Sequence, residues 1–141
     1  MKTMNTMSLM SSRPGHIINP HAGSVGLNRK GRRRVNLEGV VSSALADAPV
    51  KERFKGVRVR PLWKAEHGPA HALVLEVDPG CGWEGLDLHE PGPEEVYVVS
   101  GVFNDGARDF PAGTFIHNPA GTSHVPQSET GCVLFVFYPE G

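Results

Sequence analysis

The sequence predicts an all-β fold, a barrel or sandwich of short strands, on three observations. Apolar and polar side chains alternate over short runs. Seventeen Gly and twelve Pro punctuate those runs as turns, at roughly the 8–12-residue spacing of sandwiches and barrels. Hardly any stretch carries the periodicity of a helix. Residues 57–60, Val-Arg-Val-Arg, alternate as a half-buried strand should. Residues 71–77, His-Ala-Leu-Val-Leu-Glu-Val, form a second strand, stopped by Asp78, Pro79 and Gly80. Residues 86–89 make a short third strand. Residues 94–102 alternate again and end near Asn104, Asp105 and Gly106, a strong turn signal. Residues 114–118 form a brief strand ending at Pro119, and residues 132–138 form the last. Residues 35–48 read equally as a short helix or a strand.

A chain of 141 residues suits one domain. With 39% hydrophobic and 21% charged residues it is neither a disordered tail nor a membrane protein. No apolar run approaches the roughly 18 residues that span a bilayer. Residues 1–12 are polar and Met-rich and lack the apolar stretch of a secretory signal. The two cysteines, Cys81 and Cys132, allow one disulfide but no framework. Cys132 opens the apolar run Cys-Val-Leu-Phe-Val-Phe and reads as a buried free thiol, so a reducing, cytoplasmic setting is expected.

The net charge of −1 conceals an asymmetry. Residues 1–34 hold seven basic side chains and no acid, while the rest sets seven basic residues against all fifteen acids. This divides the chain into a flexible basic arm, 1–34, and a barrel, 35–141. A basic head could bind anions or pair with the acidic body of a second copy; a solvated terminus is the plainer reading. The run Arg29-Lys30-Gly31-Arg32-Arg33-Arg34 is short and has no interleaved aromatics. Nucleic acid is therefore not an expected partner.

One constellation carries chemistry. Side chains two apart on a strand share a face, so Asp87 and His89 point the same way. The Pro91-Gly92-Pro93 turn reverses the chain, and Glu94 opens the next strand toward the same interior. Further on, the Pro119-Ala120-Gly121 turn sets His124 at the start of a strand, where it can meet the first group. Imidazole and carboxylate donors converging from separate strands make a site for one divalent transition metal: Fe(II), Mn(II), Ni(II) or Zn(II). Burying these carboxylates without a cation costs several kcal/mol per charge, roughly. His16, His21, His67 and His71 read as ordinary core or surface residues, and His117 as facing either pocket or solvent. Val96 and Val98 share the face of Glu94 and are the expected pocket wall; Tyr97 and Val99 face away. Glu95 should also face away and pair with a basic side chain. Trp83 and Phe115 either line the mouth or pack in the core, and Glu84 and Glu90 are solvated.

These residues carry a resemblance. His89, four residues, Glu94, six residues and Gly101 resemble the first motif of the cupin superfamily. Gly113, five residues, Pro119-Ala120-Gly121, two residues and His124 resemble the second. The segments Pro-Gly-Pro-Glu-Glu-Val at 91–96, Phe-Pro-Ala-Gly-Thr-Phe at 110–115, Asn-Pro-Ala-Gly-Thr-Ser-His at 118–124 and Thr-Gly-Cys-Val-Leu-Phe-Val at 130–136 resemble the ChrR-like cupins. That group includes acetylacetone-cleaving dioxygenase-like proteins. The likeness covers roughly residues 50–139. Three positions depart from it: Asp87 replaces the first His of His-x-His, Cys81 stands where a Gly leads, and Ser128 where an Asn closes. Asp87 is then either an anionic ligand or a carboxylate that stands back and hydrogen-bonds His89.

The resemblance implies a double-stranded β-helix, or jelly-roll barrel, holding one metal ion, Fe(II) before Zn(II), Ni(II) or Mn(II). It implies Asp87, His89, Glu94 and His124 as ligands, with Asp87 also available as a catalytic base. The leading activity it implies is O₂-dependent, dioxygenase-like oxidation of a small carbonyl compound. A non-catalytic sensor, or a metal-dependent isomerase or cyclase, fits the same residues. An anti-sigma role fits poorly, because residues 1–50 contain no Cys for an accompanying zinc domain. Two copies are expected to pair through edge strands.

Overall fold

The computed structural model describes residues 30–31 and 35–141. The basic arm expected over 1–34 therefore lies outside the described residues, apart from Lys30 and Gly31, as do His16 and His21. The chain divides into two units between Val40 and Val41. In the first, residues 35–40 are exposed and irregular apart from a turn at Glu38 and Gly39. The rest of 35–48 is neither the helix nor the strand that the sequence allows; it contains one 3₁₀ turn, Leu45–Asp47.

Eleven strands follow. They are β1 (Lys51–Phe54), β2 (Val57–Lys64), β3 (His71–Val77), β4 (Cys81–Gly82), β5 (Asp87–Leu88) and β6 (Glu94–Asn104). Then come β7 (Asp109–Pro111), β8 (Phe115–Asn118), β9 (Ser123–His124), β10 (Gln127–Ser128) and β11 (Cys132–Tyr138). The main sheet runs β1-β2-β3-β11-β6, and β8 pairs with the first half of β6. The second half of β6 turns into a smaller layer with β7, β10 and β4. β5 and β9 form a separate two-stranded ribbon. Every recorded pairing is antiparallel, and the strands wrap into an almost closed jelly-roll barrel. Among the described residues no helix is long and apolar enough to cross a membrane.

Strand alternation sets the core. Leu75 and Val77 on β3, Leu134 and Val136 on β11, and Val96 and Val98 on β6 all point inward and are buried. The alternate, outward residues of β2 and β3 carry charge: Arg58 bridges Glu76 and Asp78 just beyond β3, and Arg60 reaches Glu76. Cys132 is buried and both cysteines are free, as the apolar run around Cys132 suggests.

A bulge redirects β6. Leu134 pairs with Val98 but Val133 pairs with Ser100, so Val99 is the extra residue. Before it the even-numbered residues face inward; after it the inward position falls to Phe103, which is wholly buried. Gly101 follows the bulge with φ +75°, where a side chain would collide with the Gly131 carbonyl. This bend carries β6 from the main sheet into the smaller layer, so that one strand belongs to both.

Candidate metal centre

Asp87, His89, Glu94 and His124 come together at one end of this core. Each offers one donor atom, and the four atoms lie within 4.8 Å of one another. The ribbon of β5 and β9 sets Asp87 directly opposite His124. His89 follows β5 and is held by its backbone on both sides. Its N–H donates to the Thr122 carbonyl at 3.0 Å, and its carbonyl accepts from Gly121 N–H at 2.8 Å. The Pro-Gly-Pro turn, entered through a cis Glu90–Pro91 peptide, brings the chain back so that Glu94 opens β6.

The donor atoms face each other closely. His89 Nε2 is 3.3 Å from His124 Nε2 and 3.3 Å from Glu94 Oε1. His124 Nε2 is 3.6 Å from Asp87 Oδ2 and 3.7 Å from Glu94 Oε1. The side chains of His89, Glu94 and His124 are 2%, 4% and 8% exposed, against 26% for Asp87. Donors about 2.1 Å from a shared ion sit about 3.0 Å apart along octahedral edges and about 3.4 Å along tetrahedral ones. The observed spacings suit such an ion, and the cluster could hold one divalent cation.

The surrounding hydrogen bonds orient the donors. The Thr122 hydroxyl gives its one proton to the Pro119 carbonyl at 2.7 Å. It must therefore accept from His89 Nδ1 at 2.8 Å. Nδ1 carries the proton, and Nε2 presents a lone pair to the cluster. On Glu94, Oε1 accepts from the Asn118 amide at 3.0 Å and Oε2 from the Tyr138 hydroxyl at 2.6 Å. Burial first, then the charge and hydrogen bond of Glu94 and the charge of Asp87, hold the Tyr138 hydroxyl far above its ordinary value. It stays protonated and donates. The Phe103 ring meets the His124 ring edge-on, with centroids 5.8 Å apart. Beside the cluster lies a cavity of about 60 Å³, walled by Leu75, Trp83, Phe103 and Leu134 among others, and touched by Asp87, Glu94, His124 and Tyr138.

Val96 lines this cavity and Val98 is wholly buried in the core. Tyr97 and Val99 are exposed on the outer face. Glu95 Oε1 accepts from His117 Nδ1 at 2.8 Å, so His117 faces outward, 52% exposed, and not into the pocket. Phe115 lies neither at the mouth nor in the core: it is 63% exposed, opposite Tyr97 on the outer face. Trp83 does line the cavity and packs edge-on against Phe54. Glu84 and Glu90 are exposed. Asp87 has His124 Nε2 as its close neighbour, which does not favour the alternative of a hydrogen bond to His89. Tyr138, Asn118 and Thr122 are the supporting residues that spacing alone missed. One signal was available for Tyr138: it shares the inward parity of Leu134 and Val136.

Known proteins agree with this architecture. The sequence profile described as the ChrR cupin-like domain matches residues 39–140. No curated protein matches the chain. Among solved structures, a chain from the Rhodobacter sphaeroides complex of SigE with the anti-sigma ChrR is similar, at 26% identity and a TM-score of 0.58. That match covers 67% of this chain but only 50% of the other, so this chain spans half the length of that relative. An RmlC-like cupin from Shewanella frigidimarina is similar in fold at 21% identity and a TM-score of 0.59, covering 70% of this chain and 89% of that one. So is a predicted oxalate decarboxylase from Thermotoga maritima, at 22% identity and a TM-score of 0.58, covering 70% and 98%. The profile takes in both strands of the ribbon, both turns and all four clustered residues, and the chain belongs to the ChrR cupin-like domain family.

Proposed function

We propose that this protein is a metal-dependent enzyme acting on a small carbonyl compound, with Fe(II) and O₂-dependent, dioxygenase-like chemistry. The observation that carries this reading is the convergence of two imidazoles and two carboxylates beside a small apolar cavity. An Fe(II) ion held by Asp87, His89, Glu94 and His124 would supply Lewis acidity and one-electron chemistry toward O₂. The chain supplies the rest. Thr122 holds His89 in the tautomer that offers Nε2. Asn118 and Tyr138 fix the plane of the Glu94 carboxylate. The apolar walls exclude water from the bound carbonyl compound. Asp87, the most exposed of the four, is the group able to take a proton from that compound at its other oxygen, Oδ1, with Oδ2 turned to the cluster. β1 is the terminal strand of the main sheet, which supports pairing of two copies through an edge.

The test is elemental analysis of protein purified without added metal or a metal-binding tag, wild type beside His124→Ala. Near-stoichiometric iron, lost in the variant, with O₂ uptake on a diketone or hydroxyketone, is the expected result. Zinc without O₂ uptake would move the reading to isomerase, cyclase or sensor chemistry. Metal-free protein that takes up no added Fe(II) would overturn it.

A further inference from the structure

The charge lining the cavity is of one sign. Its charged lining groups are Asp87 and Glu94, and no Lys or Arg lines it. Arg53 is exposed, sits over the Trp83 ring at 5.9 Å and does not line the cavity. Arg58 and Arg60 are engaged by Glu76 and Asp78.

Four hydrogen-bond donors around the cluster are already engaged. The Tyr138 hydroxyl and the Asn118 amide both donate to Glu94. The Thr122 hydroxyl donates to Pro119, and His89 Nδ1–H donates to Thr122. Two carboxylates and two neutral imidazoles cancel the charge of a divalent ion. An entering anion would therefore leave net negative charge in a largely apolar enclosure, which is costly. A neutral oxygen donor brings no such cost. With His in place of Asp87, as in the related motif, the same site would keep one net positive charge and accept an anion.

We propose that Asp87 makes this site selective for uncharged ligands: small neutral molecules that present one or two oxygen donors on a short apolar skeleton. Carboxylates and inorganic anions are excluded by charge. The cavity of about 60 Å³ limits the enclosed part to a few non-hydrogen atoms. This inference rests on the metal-site reading above, and Asp87 acts in it as a specificity-determining residue.

The test loads the full chain with Co(II) and follows the visible cobalt spectrum during titration with azide and, separately, with hydroxyacetone. Wild type and Asp87→His are compared. Azide should bind the variant at least tenfold more tightly than wild type, while the hydroxyacetone affinity changes less than threefold. Should Asp87→His fail to fold, Asp87→Asn, which also removes the charge, carries the same expectation. Equal azide affinities in proteins that both bind cobalt would overturn the charge argument and leave the metal site standing. Failure of the wild type to bind cobalt would overturn the metal site itself, and this inference with it.

Discussion

The Tyr138 hydroxyl donates a 2.6 Å hydrogen bond to Glu94 Oε2, joining the last strand of the chain to the first residue of β6. The register of β11 on β6 makes this possible, because Leu134 faces Val98 and Val136 faces Val96, which brings Tyr138 level with Glu94. The bond leaves Oε1 as the oxygen turned toward His89 and His124. Replacing Tyr138 with Phe strips a buried carboxylate oxygen of its donor. The expected loss of stability is about 1–3 kcal/mol in chemical denaturation. The expected loss of metal affinity, measured by competition with a chelator, is about 10- to 100-fold.

Thr122→Val removes the acceptor that fixes the His89 tautomer, with little change of side-chain volume. Metal affinity should fall about tenfold, and Thr122→Ser, which keeps the hydroxyl, should restore most of it. Equal affinities in the Val and Ser variants would show that the hydroxyl does not orient the ring.

Gly101 and Gly113 separate two costs. Both have positive φ, +75° and +90°. An added methyl at Gly113 meets open space, whereas at Gly101 it meets the Gly131 carbonyl and the Cys132 backbone. Gly113→Ala should cost about 1 kcal/mol, from conformation alone. Gly101→Ala should cost at least about 3 kcal/mol, since strain and overlap add. Paired urea melts check the difference.

Asp105 closes the turn after β6. Its Oδ1 accepts from the N–H groups of Ala107 and Arg108, and its Oδ2 pairs with the Arg108 guanidinium. Desolvation pulls its acidity the other way, but these bonds together hold the carboxyl below the ordinary aspartate value of 3.8. A depressed acid stabilises the fold fully above its unfolded value, and the contribution fades as pH falls through the folded one. Asp105→Asn should therefore cost about 1 kcal/mol at pH 7. The gap between variant and wild type should narrow as pH drops below about 4. Denaturation curves at pH 7, 5 and 3 would check the trend.

Much of this architecture is legible before any coordinates. β2 and β6 are long enough for alternation to show their faces, whereas β3 and β11 show as continuous apolar runs. β5 and β9, two residues each, were legible only through the turns beside them, whereas β4 and β10, equally short, display no period and exist only because their neighbours supply hydrogen bonds. β1, Lys-Glu-Arg-Phe, carries the charge of an edge strand and hides among loops. The bulge at Val99 has no mark in composition, so the inward turn of Phe103 could not be read. The clustered residues were legible because Pro and Gly turns fix their spacing along short stretches. The parity of Tyr138 marks it as inward, but its bond to Glu94 was not legible, because it spans 44 residues of sequence. Phe115 misled through its aromatic character, although its alternation with Ile116 assigns it to the outer face.

The bend in β6 has a mechanical consequence. One continuous strand begins with Glu94 and, beyond Val99, delivers Phe103 against the ring of His124. Opposite walls of the cluster are thus parts of the same rod, clamped between β11 and β8 at one end and between β7 and β10 at the other. Neither wall can swing aside on its own. The β5–β9 ribbon, a separate two-stranded sheet with no ladder to the rest of the barrel among the described residues, is the expected side for ligand traffic, and amide hydrogen exchange should run faster there than along β6.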